Sequence, residues 1–258
     1  MHKFHTCFVY GIALVCIAVI CAYGGDKGRR IARAYFDLKD ARTMRAEATM
    51  VLIDEDNGRS ERRLVMYEKN GPRGMSSFIE FNAPAAVKGT KFLTVPDDKG
   101  NDIQRLYLPA LKKVRRISAA NNDGKFVGSD FYYYDLKDRE FEDFSYTFVK
   151  EATMNDAAYN VIEMVPENED ESPYSKSRAW VKKKDHFVYR MELYDKDSEK
   201  LIKTMAVVET RTIEGVIVPV KVVMDNHRDN HKTLLQLDNV EVNSDVDENV
   251  FTVQHLKR

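Results

Sequence analysis

From residue 144 to residue 242 the chain alternates apolar and polar residues in short runs, and each run ends in Asn, Asp, Gly or Ser. Phe144, Tyr146 and Phe148 share one face of such a run, as do Phe187, Tyr189, Met191 and Leu193, and again Val216, Val218, Val220, Val222 and Met224. A period of two residues is the mark of a strand with one covered face, and strands in unbroken succession make an antiparallel meander. The spacing predicts strands over 144–149, 159–165, 177–183, 187–194, 201–210, 216–224 and 233–242. The first half repeats the texture over 45–53, 59–69, 74–82, 90–95, 103–108 and 112–117, and Asn57-Gly58 between the first two is a hairpin turn signal. Helical spacing is confined to 26–39, with Ile31, Tyr35 and Leu38 on one face and Asp26 as N-cap, and to one turn over 129–136, capped by Ser129 or Asp130. So few helices exclude a doubly wound α/β fold. The fold class is mainly β (α+β), a single sheet of about eleven alternating strands that curls because strands twist. The residues alone leave open whether its concave apolar face is a filled core or a cavity.

Residues 8–20 form an uncharged apolar run behind Lys3, followed by Ala22-Tyr23-Gly24-Gly25. This reads as a secretory signal peptide over 1–24, cleaved after Gly24, with one domain over 25–258. Cleavage before Cys21 with acylation there is the alternative, disfavoured by Ile20 in the preceding position. Cys7, Cys16 and Cys21 are the three cysteines, so the remainder relies on its apolar core without disulfides. Export points to the periplasm. A formal net charge of -1 argues against nucleic acid as a partner.

Catalytic signatures are missing. The sequence has no P-loop, no dinucleotide fingerprint and no nucleophile elbow. His227 and His231, with Asp225 and Asp229 beside them, fall between two strands and read as a solvated polar turn. Asp54, Asp56 and Gly58 are one residue short of a calcium loop. No metal, no cofactor and no enzymatic activity are expected. Lys112, Lys113, Arg115 and Arg116 form a basic cluster, read either as a solvated strand face or as a patch for phosphate head groups or an acidic partner.

Three phrases occur in order: 81–90 (FNAPAAVKGT), 106–117 (LYLPALKKVRRI) and 128–136 (GSDFYYYDL). Together they resemble the hallmark run of the LolA-like outer-membrane lipoprotein-sorting proteins. The resemblance implies an unclosed half-barrel with a few helices lying across the concave apolar face as a lid. It implies a periplasmic carrier that shields the acyl chains of a lipoprotein or lipid and shuttles them between inner and outer membranes. Its partners would be an inner-membrane transporter (ABC-type or RND-type permease) and an outer-membrane acceptor, with the carrier itself a monomer. On this reading Met50, Leu52, Met66, Ile79, Phe81, Phe92, Tyr146, Phe148, Trp180, Tyr189, Met191 and Val220 line the lipid-binding cavity. Phe131, Tyr133 and Tyr134 belong to the lid, and Lys112, Arg115 and Arg116 dock to a head group or partner. The alternative is a periplasmic interaction subunit of an export complex with no cargo of its own.

Overall fold

In the computed structural model, which describes residues 26–258, thirteen strands form one antiparallel sheet. The expected cleavage site after Gly24 and the alternative site at Cys21 lie outside the described residues. In chain order the strands are β1 (Thr43–Ile53), β2 (Arg59–Gly71), β3 (Gly74–Ala83), β4 (Lys91–Pro96), β5 (Asp102–Leu108) and β6 (Lys113–Arg116). After a long connection follow β7 (Phe144–Met154), β8 (Ala157–Pro166), β9 (Tyr174–Lys182), β10 (Val188–Asp195), β11 (Leu201–Ile213), β12 (Val216–Asn226) and β13 (His231–Val242). Each strand read from alternation is present. β7 runs five residues past its expected end, because a register shift between Phe148 and Lys150 interrupts the alternation there.

The order across the sheet is β6-β5-β4-β3-β2-β1-β13-β12-β11-β10-β9-β8-β7. The first strand therefore lies in the middle, paired with the last, from Met44↔Val242 to Ile53↔Lys232. The chain walks out to one edge at β6, must reach the opposite edge at β7, and walks back. β6 and β7 are not bonded to each other, so the barrel stays open. At a strand spacing of ~4.8 Å the sheet spans roughly 60 Å of arc, and residues 117–143 bridge its two edges through a series of short turns.

That crossover runs over the concave side. Ile117, Phe126, Phe131, Tyr132, Tyr134 and Phe141 are all buried along it. The Phe126 ring packs on Phe81 and Phe92 at 5.7 and 5.1 Å, and Tyr133 covers Phe92 at 5.6 Å. Beneath lies the larger core, which includes Met50, Leu52, Leu64, Val220 and Met224. The one helical turn expected over 129–136 is instead a 3-10 turn over Tyr133–Leu136, and Asp135, not Ser129 or Asp130, caps it by accepting from the Tyr132 N–H at 2.7 Å.

Helix α1 (residues 26–36) is the second cover. Its Ala32 and Phe36 pack against Phe141, Tyr146, Ile162 and Val181. It stops at residue 36 rather than 39, where Leu38 turns back to donate to the Tyr35 carbonyl and Lys39 reaches the Glu214 carbonyl at 2.6 Å. On the convex side, a 3-10 turn (Glu248–Phe251) and α2 (Val253–Leu256) bury Phe78 and Leu93.

α1 sits so close to β7 that a Cβ on Gly28 would lie 2.6 Å from the Phe148 nitrogen. Gly28→Ala is expected to lift the helix from the edge strand at a cost of about 2 kcal/mol, measured by thermal unfolding. An unchanged Tm would mean that the helix does not pack there in solution.

Candidate functional site

The lid is held down by charge buried in an apolar setting. Asp130, fully buried, accepts from Thr233 at 2.7 Å and Asn226 at 3.0 Å, and lies 2.6 Å from His231 Nδ1. Its own N–H donates to the Thr233 hydroxyl at 2.9 Å. Five residues on, Asp135 accepts from the Tyr174 hydroxyl at 2.9 Å and lies 3.8 Å from Lys203 Nζ. Lys203 has no exposed surface; its ammonium stands 2.8 Å from the centre of the Tyr132 ring. Burial pushes this lysine down to about 8, with Asp135 and Asp130 opposing the shift. It therefore remains mostly charged at neutral pH, held between a carboxylate and a ring face.

The crossover is thus tied to β9, β11, β12 and β13 by two aspartates of one phrase, GSDFYYYDL. Gly128 of that phrase has φ +76, a backbone state open to glycine, and beside it Arg62 donates to the Val127 carbonyl. The 225–231 stretch, expected to be a solvated turn, is in part this latch: Asn226 is buried, and Asp229 pairs with Lys125 of the lid at 2.7 Å. Among the described residues no cluster has the makings of a metal site.

The two covers meet at Phe141 and Glu142, where α1 packs and pairs, but they leave a gap beside that contact. Between the end of α1, the lid at 134–139 and the concave face of β7–β11 lies a cavity of about 450 Å³. Its walls are Tyr35, Phe36, Phe144, Met164, Phe187, Met191, Leu193 and Met205, and Lys39, Asp40, Lys137, Asp138 and Arg139 also line it. The structure combines the two alternatives left open by the sequence: a filled core under the lid and a cavity beside it.

The residues expected to bind lipid are distributed accordingly. Met191 lines the cavity. Met50, Leu52, Ile79, Phe81, Phe92 and Val220 are buried in the core under the lid, with Met66 packed against them. Tyr146 is buried beneath α1, its hydroxyl donating to the Phe141 carbonyl at 2.8 Å. Phe148 lies under Lys27 at the start of that helix. Trp180 does not face inward: its neighbours Ala179 and Val181 are buried on the concave side, and the indole stands on the convex side under Arg190. Tyr189 sits at a register shift, where its hydroxyl donates to Asp185 at 3.1 Å. Phe131, Tyr133 and Tyr134 all belong to the crossover, and Tyr134 touches the cavity. Lys112, Arg115 and Arg116 are exposed at the β6 edge.

Sequence reasoning missed a group of carboxylates at this end of the concave face. Asp138 accepts from the Met75 N–H at 2.8 Å, and Asp102 accepts from the Asp138 N–H at 2.7 Å. Burial, followed by the charges of Asp138 and Asp40, pushes Glu68 up to about 7. Burial is also the first cause that raises Asp102 to about 6, and it raises Asp40. The four residues are scattered from position 40 to position 138, and no local spacing could have joined them.

A family model described as "uncharacterized protein" matches residues 74–258. A search of curated proteins gave no match. Among solved structures, the chain is similar to a domain from Vibrio parahaemolyticus assigned to outer membrane lipoprotein sorting. The two share 29% identity and superpose with a TM-score of 0.85, over 91% of this chain and 100% of the other. It is also similar in fold to a DUF1329 family protein from Desulfovibrio piger (23% identity, TM-score 0.84, 90% and 99% covered). A LolA superfamily protein from Nitrosomonas europaea shares the fold as well (18% identity, TM-score 0.69, 88% and 98% covered).

Asp130→Ala removes the one acceptor that Thr233, Asn226 and His231 share and is expected to cost about 3 kcal/mol, with faster amide exchange over 126–136. Intact protection there would show that the lid is held by packing alone. Glu68 binds its proton more tightly in the folded state than in the unfolded chain. Its contribution to stability is therefore present below pH 4.5 and lost as pH rises through about 7. Glu68→Gln is expected to reduce the stability lost between pH 5 and pH 8 by about 2 kcal/mol, read from denaturant midpoints. Parallel curves for the two proteins would count against a shifted Glu68.

Proposed function

The chain belongs to the family of uncharacterized proteins whose model matches residues 74–258, and on that premise, with the fold it shares with a lipoprotein-sorting domain, we propose that it is a LolA-like, periplasmic, non-enzymatic carrier of acyl chains. The observation that carries this reading is the cavity between the two covers, apolar in its walls and charged along one side. A chain of sixteen carbons exposed to water costs roughly 12 kcal/mol at ~0.8 kcal/mol per methylene, so it crosses an aqueous compartment only when shielded. A cavity of about 450 Å³ falls within the range of about 300–1,000 Å³ usual for ligand pockets, so an acyl tail has room in it. Met164, Met191 and Met205 give the wall flexible thioethers that repack around different chains. Lys39, Lys137 and Arg139 would meet a head group or peptide while the tail lies inside.

In this reading the cargo is a lipid or lipoprotein taken from an inner-membrane transporter, such as an RND-type permease, and passed to an outer-membrane acceptor. Among the described residues no helix is long and apolar enough to cross a membrane.

Native mass spectrometry of protein purified without detergent, followed by lipid extraction, tests the proposal. Stoichiometric acyl cargo is the expected result. A bare mass, unchanged after incubation with membrane lipid, would favour the interaction subunit without cargo. Met205→Glu is expected to weaken binding of a fluorescent fatty acid at least tenfold with the fold intact. Phe81→Ala, in the packed core, should instead cost about 3–5 kcal/mol of stability.

A further inference from the structure

The β5–β6 corner carries a feature that the cavity does not use. Leu111, in the 3-10 turn Pro109–Leu111, is 61% exposed, the most exposed large apolar side chain among the described residues. Lys112 and Lys113 follow it directly, and Arg115 and Arg116 continue along the edge strand; all four are exposed. Exposed Lys88 adds to them, because its neighbour Gly89 stands with its would-be Cβ 3.7 Å from the Pro109 ring. Arg105 lies directly opposite Arg116 in the ladder, a like-charge pairing that strands ordinarily avoid.

Elsewhere among the described residues many cations hold ion pairs. Arg178 and Lys176 share Glu163 at 3.0 and 3.2 Å, and Arg190 holds Glu192 at 2.9 Å. Even Lys91, one turn away from the corner, pairs with Glu80 at 3.6 Å. Among the described residues Lys88, Arg105, Lys112, Lys113, Arg115 and Arg116 form no ion pair within 4.0 Å. In a chain whose net charge is -1, this is a local excess, maintained against its own repulsion.

We propose that this corner docks the protein on an anionic lipid bilayer, with Leu111 entering the headgroup layer and the six cations around it meeting lipid phosphates. An apolar apex with cations set back around it matches the layering of such a surface, where phosphates lie outside the acyl region. An acidic protein would be met by the cations alone and leaves Leu111 without a role. The short, highly charged edge strand also resists pairing with a strand of another chain. The corner shares no residue with the cavity, so docking stands or falls separately from acyl carriage.

The test is flotation of the full chain with vesicles of phosphatidylcholine alone or with one third phosphatidylglycerol. Wild type and variants carry the same amino-terminal segment, so differences between them report the corner. Binding is expected to be stronger to the anionic vesicles and to fall with salt. Lys112→Glu with Lys113→Glu should weaken it at least tenfold, since each basic residue near such a surface contributes about fivefold. Leu111→Ser should weaken it severalfold and remove most of the binding that persists at high salt. Lys184→Glu with Lys200→Glu, the same change in charge at exposed positions outside the corner, should leave binding unchanged. Equal binding to both vesicle types, or equal loss in the control pair, would overturn the proposal, as would anionic binding indifferent to both corner variants. Fatty-acid binding measured on the same variants should not move, so that a failed docking result and a failed carrier reading are told apart.

Discussion

The pairing of β1 with β13 governs everything else in this molecule. Were the thirteen strands a simple meander, β1 would be an edge and no part of the chain would have to cross the sheet. Because the first and last strands meet in the centre, the outward walk ends at β6 while the inward walk starts at β7, on opposite rims. Residues 117–143 must join those rims, and the short route passes over the concave side. The lid is therefore a topological necessity, and the cavity is the space that lid and α1 together fail to fill.

A crossover of this kind has little regular hydrogen bonding of its own, so it needs fixed points. Asp130 and Asp135 supply them. Buried carboxylates are costly to desolvate, and an apolar pair of similar volume commonly gives equal or greater stability. Here the charges select a position: Asp130 meets three polar side chains, from the end of β12 and the start of β13, and Asp135 meets Tyr174 and Lys203. Slipping the lid by one residue would leave both carboxylates unpaired, a far larger penalty than any loss of packing between Phe126 and the rings below it.

Alternation made the strands legible, since a covered face repeats every second residue. It could not reveal which strands pair across long separations, and so the central position of β1 was invisible. Nor did it fix the face at every site. Trp180 attracts attention as the only tryptophan, yet the small Ala179 and Val181 are the inward residues of β9. At Phe148 and Tyr189 register shifts break the period, and a reading based on counting loses its phase. Lys203 was a readable signal that went unused: it shares its strand face with Met205 and Val207, where a lysine is out of place unless something meets it. The resemblance placed Phe131, Tyr133 and Tyr134 over the mouth of the sheet, while only the structure showed how the two aspartates of that phrase are used.

The open seam between β6 and β7 gives the scaffold a mechanical property that a closed barrel lacks. In a closed barrel any widening must stretch or shear a ring of backbone bonds. In this sheet the two rims move apart by a small change of twist shared among twelve interfaces, with every ladder bond kept. The scaffold can therefore widen or tighten like a split collar, whose stiffness is set by bending of the strands rather than by the strength of any single bond.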